Sequence, residues 1–136
     1  MTAIFGREGL QLLVARSLSA DMEVRLAVAW PPTTRGALAS DFPEPVAPGY
    51  KRQPIVRGNW TLSVSDEGVV TAEAPMVVFR FDGLLENARN IVGHIYVDTT
   101  SGLLLWAVPY TVKVPVPESG ELEVVPVYVH GPEGTD

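Results

Sequence analysis

The stretch at residues 103–116, LLLWAVPYTVKVPV, decides the fold class. Its even positions, Leu104, Trp106, Val108, Tyr110, Val112, Val114 and Val116, form one apolar row. A period of two is the period of a β-strand. Pro109 and Pro115 occupy odd positions, and Pro117 follows in the same phase. Residues two apart in a regular strand aim their N–H groups at the same side, so all three missing donors fall together. Such a strand belongs at a sheet edge or beside a bulge, where its bare side resists indiscriminate pairing.

The same alternation recurs outward from this segment. In residues 22–30, Met22, Val24, Leu26, Val28 and Trp30 alternate with Glu23, Arg25, Ala27 and Ala29 until Pro31-Pro32 stops the strand. Trp60, Leu62 and Val64 share a face before the turn Asp66-Glu67-Gly68, and residues 69–74 return. Val77, Phe79 and Phe81 mark another strand. Ile91, Gly93, Ile95 and Val97 alternate with Val92, His94, Tyr96 and Asp98 in a further strand. Residues 121–129 form the last. Helical spacing occurs once, at Leu10, Leu13, Val14 and Leu18, within a short helix over residues 5–18. The expected fold is therefore mainly β: an antiparallel sandwich or barrel of about seven strands with one short N-terminal helix. The 136 residues match one domain, residues 1–136.

Composition removes several functions. With 46% hydrophobic and 19% charged residues, the chain is not intrinsically disordered. A net charge of −6 lacks the electrostatic footprint of a nucleic-acid binder. No cysteine is present, which removes disulfides, a thiolate nucleophile and thiolate metal ligands. No apolar run reaches the roughly 18 residues of a membrane span. Arg7 and Glu8 cancel and Gln11 interrupts the apolar run at 10–15, against a signal peptide. Asn59-Trp60-Thr61 fits the glycosylation acceptor pattern, but without a leader Thr61 is read as a strand residue.

Residues 31–49 differ in character. Five of the 12 prolines lie here, Pro31, Pro32, Pro43, Pro45 and Pro48, with Gly36 and Gly49. The only large apolar side chains are Leu38, Phe42 and Val46. Two readings stand. One is an extended arm, reaching about 50 Å, that lies on a neighbouring subunit. Its contact residues would be Pro31, Pro32, Leu38, Phe42, Pro43, Pro45, Pro48 and Tyr50, and deleting residues 33–48 would spare the fold while abolishing assembly. The other is a surface loop pinned by Phe42. Residues 131–136 form a polar tail.

Motifs for chemistry are missing from the sequence: no G-x-S-x-G, no phosphate-cradling loop and no G-x-G-x-x-G occurs. His94 and His130 lie far apart, and His94 reads as a surface or half-buried strand histidine. The carboxylate pairs Asp82/Glu86, Asp66/Glu67 and Glu121/Glu123 read as turn or solvated strand residues, not as a glycosidase pair. Asp98-Thr99-Thr100-Ser101 offers one carboxylate and reads as a turn, not a calcium site. Trp30, Trp60, Trp106 and the four tyrosines could stack on a sugar, but the tryptophans fall on apolar faces and suit a core. Trp30, before two prolines, is the one expected to be partly exposed. No catalytic residue, metal or cofactor is expected.

Gly49-Tyr50-Lys51-Arg52-Gln53, after the proline-rich segment, resembles the GY-x-R-Q stretch of small structural proteins of tailed bacteriophages. The order around it is similar too, from about residue 5 to residue 129. A short helix precedes a V-x-L strand at Val24-Arg25-Leu26. Then come Trp60-Thr61-Leu62, Val77-Val78-Phe79, the segment from Ile91 to Asp98 by way of Gly93 and Ile95, and Ser101 to Leu104. The resemblance implies a virion component assembled in the host cytoplasm, with no catalytic residues. The first expectation is a capsid decoration (cement) protein, a homo-oligomer docking on the major capsid protein. The alternatives are a tail or fibre accessory subunit contacting tail proteins and host glycans, a non-viral carbohydrate-binding module, and last an enzyme.

Overall fold

β6 (Asn90–Asp98) is paired with a strand on each side. It lies second from the edge in a four-stranded sheet of order β2-β1-β6-β7, with β1 at Met22–Ala27, β2 at Gln53–Ile55 and β7 at Leu104–Pro115. This and every other feature comes from a computed structural model that describes residues 7–33, 35–116 and 119–130. β6 is buried on both faces: Ile91, Ile95 and Val97 on one, His94 and Tyr96 on the other. The expected surface or half-buried place of His94 is thus corrected to a buried one, since His94 and Tyr96 are sealed by long-range packing.

Among the described residues nine antiparallel strands and one short helix occur, so the chain is mainly β, with open sheets compatible with a sandwich. The count exceeds seven for two reasons. Gln53–Ile55 pairs with Met22–Val24, a strand too short to show a period. Pro126 splits the expected strand at 121–129 into β8 (Gly120–Val124) and β9 (Val127–His130), which join different sheets. The helix α1 spans Arg7–Ser17, shorter than expected, and Val14 and Leu18 are buried. Residues 5–6, the side chains of Leu10 and Leu13, Pro117 and the tail at 131–136 lie outside the described residues.

The chain gathers into two compact units. One takes residues 7–20, 56–77 and 125–130 and holds α1 against a sheet of order β3-β4-β9, with β3 at Thr61–Val64 and β4 at Val70–Glu73. The other takes Asp21–Ile55 and Val78–Val124 and holds the four-stranded sheet and most of the pair β5 (Val77–Phe81) with β8.

Three strand prolines, Pro54, Pro109 and Pro115, sit where a ladder needs no donor. Pro54 stands opposite Glu23, between the pairs that β1 makes through Met22 and Val24. Pro109 stands opposite Gly93, whose own backbone groups turn to Ala27 of β1. The Val116 amide donates inward to the Arg89 carbonyl, which leaves its neighbour Pro115 on the outer side. β7 is the edge strand its prolines predict, and four of its residues, 110–113, bulge opposite Val92. The bulge breaks the even-numbered apolar row, and Val112 points to solvent at 75% exposure.

Residues 31–49 fold back over one face of their own sheet. Phe42 is buried against Ala27, Ile95 and Val97, with Ala37, Ala39, Leu104 and Ala107 around it. The half-buried Trp30 ring meets Phe42 edge-on at 4.8 Å. Deleting residues 33–48 would remove Phe42 from this core, which favours loss of the fold over the expected sparing of it.

Candidate docking surface

β2 covers only the first half of the free side of β1, and the proline-rich segment completes it. The next two outward amides, Leu26 on β1 and Val28 just past it, are taken by non-strand partners: Leu26 N–H donates to the Tyr50 hydroxyl at 3.1 Å, and Val28 N–H donates to the Pro43 carbonyl at 2.9 Å. Further along, the carbonyls of Val46 and Pro48 accept from the amides of Glu86 and Asp82, both at 2.8 Å. Prolines keep their carbonyls though they lack donors, so this segment is stitched down largely as an acceptor. Asn87 adds a two-point clamp: its Oδ1 accepts from Val46 N–H at 3.0 Å, and its Nδ2 donates to the Glu44 carbonyl at 2.9 Å.

Each residue of the GY-x-R-Q stretch with a resolved task serves this fastening. Gly49 has φ +85°, and a Cβ there would run into the Asp82 carboxylate, so glycine is required. The Tyr50 hydroxyl donates to Glu44 Oε1 at 2.9 Å, while its ring stacks on Phe79 and Phe81 with centroids 5.9 and 6.2 Å away. Arg52 grips the same carboxylate, with Nε 3.0 Å from Oε1 and Nη2 2.8 Å from Oε2. Gln53 is the β2 partner of Val24.

The charges form an alternating chain. Arg25 Nε donates to Glu23 Oε2 at 2.6 Å, and Arg52 Nη1 lies 3.4 Å from the same oxygen. Burial of Glu44 works to raise its pKa, but hydrogen bonds from Arg52 and Tyr50 and the nearby guanidinium charges outweigh that, leaving it lowered. Burial and the Glu44 charge push the Tyr50 phenol far up, so it acts as a fixed donor and not as an acid. The hydrogen bond to Glu44 raises Arg52 further. These groups are committed to one another.

Beside this network lies a groove of about 520 Å³, lined by Arg25, Leu38, Phe42, Glu44, Arg52 and Leu103 among others. Leu38 and Leu103 stand on its rim at 61% and 62% exposure. Of the residues named as arm contacts, Phe42 and Pro45 are buried and Pro31 and Tyr50 half-buried, while Pro32, Leu38, Pro43 and Pro48 are exposed. Only the last four face outward as they stand. Glu44, Asn87 and the Glu23–Arg25 pair escaped the sequence reading. Asn87 bonds to the Val46 amide and the Glu44 carbonyl across 41 and 43 residues, separations that leave no periodic trace.

The other titratable candidates are accounted for locally. His94 is buried, with Nδ1 2.7 Å from the Tyr110 hydroxyl and Nε2 3.0 Å from that of Tyr96. Burial lowers its pKa to about 4 and raises Tyr110 to about 12. The neutral ring donates to one tyrosine and accepts from the other. Asp98 accepts from Ser101 Oγ at 2.6 Å and from the Thr100 amide at 3.2 Å, which lowers its pKa and makes it the turn residue its sequence implies. Asp66, Glu67, Asp82, Glu86, Glu121 and Glu123 are all exposed. Among the described residues no three of His, Cys, Asp and Glu are grouped as a metal would need. Trp106 stacks on Tyr96 at 4.1 Å. No protein family, curated protein or solved structure matches this chain.

Proposed function

We propose that the chain is a structural protein of a tailed-phage particle, a capsid decoration protein that docks on the head shell and stiffens it. One observation supports this reading above the others. The motif residues that carry the resemblance hold geometry: Gly49, Tyr50 and Arg52 fasten a segment, Gly93 admits a ring, and Asp98 with Ser101 closes a turn. A protein that works by fit needs its shape fixed, and its outward surface is then free to vary. The docking side is the groove rim, where Leu38 and Leu103 are exposed beside the Arg52–Glu44 latch. Contacts of this size are weak singly, but many copies on a shell multiply them.

The test is co-sedimentation of the purified chain with expanded empty heads. Stoichiometric binding, with heads that then resist heat, is expected. Leu38→Asp with Leu103→Asp should abolish binding without changing the fold. Heads that sediment bare, with binding instead to purified tails, would move the chain to the tail-accessory reading. A tryptophan fluorescence change with sugars, and no binding to particles, would move it to the carbohydrate-binding one.

A further inference from the structure

We infer that β9 is a contact between two copies of this chain, paired antiparallel about a two-fold axis at Tyr128. The register of the sheet leaves that edge open. β9 pairs with β4 on one side only, Glu73 opposite Val127 through Val70 opposite His130, and it is the last strand in its sheet among the described residues. The Ala74 amide donates to the Pro126 carbonyl, so residues 126, 128 and 130 turn their backbone groups toward β4. The amides and carbonyls of Val127 and Val129 therefore face away from it. Centring the axis on Tyr128 sets Val127 against Val129 of the second copy, and the reverse. All four outward residues then exchange both hydrogen bonds. The two faces also match, because opposite residues in an antiparallel pair share a face.

The side chains favour the same partner. Val127 and Val129 lie on the face away from Tyr128 and are 38% and 57% exposed. Met76 and Val125 are 50% and 48% exposed near the same end of the sheet. Pairing two copies joins the four β9 valines into one apolar strip.

Charge, proline and exposure distinguish β9 from the other edges; β5, like β9 without acid or proline, exposes only Arg80. Two copies of a chain of net charge −6 repel, so they meet where acids are scarce. β9 carries neither acid nor proline, and the nearest acid across its ladder, Glu73, stands one strand back. Self-pairing of β8 would bring Glu121 and Glu123 of both copies together. β2 and β7 are guarded by Pro54, Pro109 and Pro115, and the exposed side chains of β3 are Thr61 and Ser63, content in water. Two such short strands bury less than a standard interface of about 1,600 Å², so the dimer is reversible, and repetition in an assembly adds to it.

Sedimentation equilibrium of the full chain across sub-millimolar concentrations tests this. A mass rising toward twice 14.7 kDa is expected, with hydrogen exchange at the Val127 and Val129 amides slowing as concentration rises. V127K/V129K should stay at the single-chain mass with unchanged circular dichroism, and E121K/E123K should dimerise like the wild type. Should V127K/V129K misfold, Val129→Lys alone and the exchange measurement decide. A wild type that stays monomeric, a folded lysine variant that still dimerises, or exchange indifferent to concentration overturns the inference. A dimer that binds no phage particle leaves it intact and counts only against the decoration reading.

Discussion

The Tyr50 hydroxyl joins two parts of the chain that no sequence pattern links: it donates to Glu44 Oε1 at 2.9 Å and accepts from the Leu26 amide at 3.1 Å. It stands just before β2 begins, where β1 still offers a donor. Tyr50→Phe keeps the ring against Phe79 and Phe81 but leaves the Leu26 amide without its partner. A loss of about 1–3 kcal/mol is expected. Urea unfolding should show a lower midpoint with an unchanged slope. An unchanged midpoint would mean that the latch is idle.

Phe42→Ala opens a cavity beside Ala27, Ile95 and Val97. Truncating a buried phenylalanine costs about 3–5 kcal/mol. Deletion of residues 33–48 should go further and abolish the cooperative transition, read by circular dichroism on heating. A deletion variant that melts like the wild type would show that the segment is a detachable arm after all.

Gly93→Ala places a methyl group 2.5 Å from the Trp30 ring and from the Val108 carbonyl oxygen. The carbonyl belongs to the adjacent strand and cannot swing aside, so β6 and β7 must part locally. A cost of about 1–3 kcal/mol or more is expected, together with a shift in tryptophan emission as Trp30 is displaced.

Acid should weaken the fold in a definite window. His94 binds its proton near the ordinary value of 6.5 when unfolded but only near 4 when buried. Between those values the unfolded chain holds more protons, so unfolding free energy falls as pH drops from about 6.5 toward 4. The loss is on the order of 3 kcal/mol. Glu44, held below its ordinary 4.5, adds a further loss as pH falls through its folded value. His94→Gln should flatten the first part of the urea-midpoint profile and keep the second. A wild-type profile flat between pH 6.5 and 4.5 would contradict the neutral, sealed imidazole.

These residues show what the sequence makes legible. The phase of Pro109 and Pro115 revealed an edge strand, because a missing donor is a local property and its consequence is too. Asp98 was readable as a turn residue for the same reason. The double burial of β6 was not, since His94 and Tyr96 look half-polar until the tyrosine–histidine–tyrosine bonding is known. Nor was the role of Tyr50. The motif drew attention to it, but its partner Glu44 lies within a segment whose path depends on Asn87, far along the chain. Pro126 lay in plain view within residues 121–129, and its lack of a donor is enough to end one strand and start another.

The proposed role makes this chain a stoichiometric part of a phage particle. Quantitative mass spectrometry of purified phage particles that carry its coding sequence tests it most directly, before and after the tails are stripped. Copy numbers commensurate with the major capsid subunit, retained on the tailless heads, are expected. A chain made in the infected cell but missing from the finished particle would contradict it.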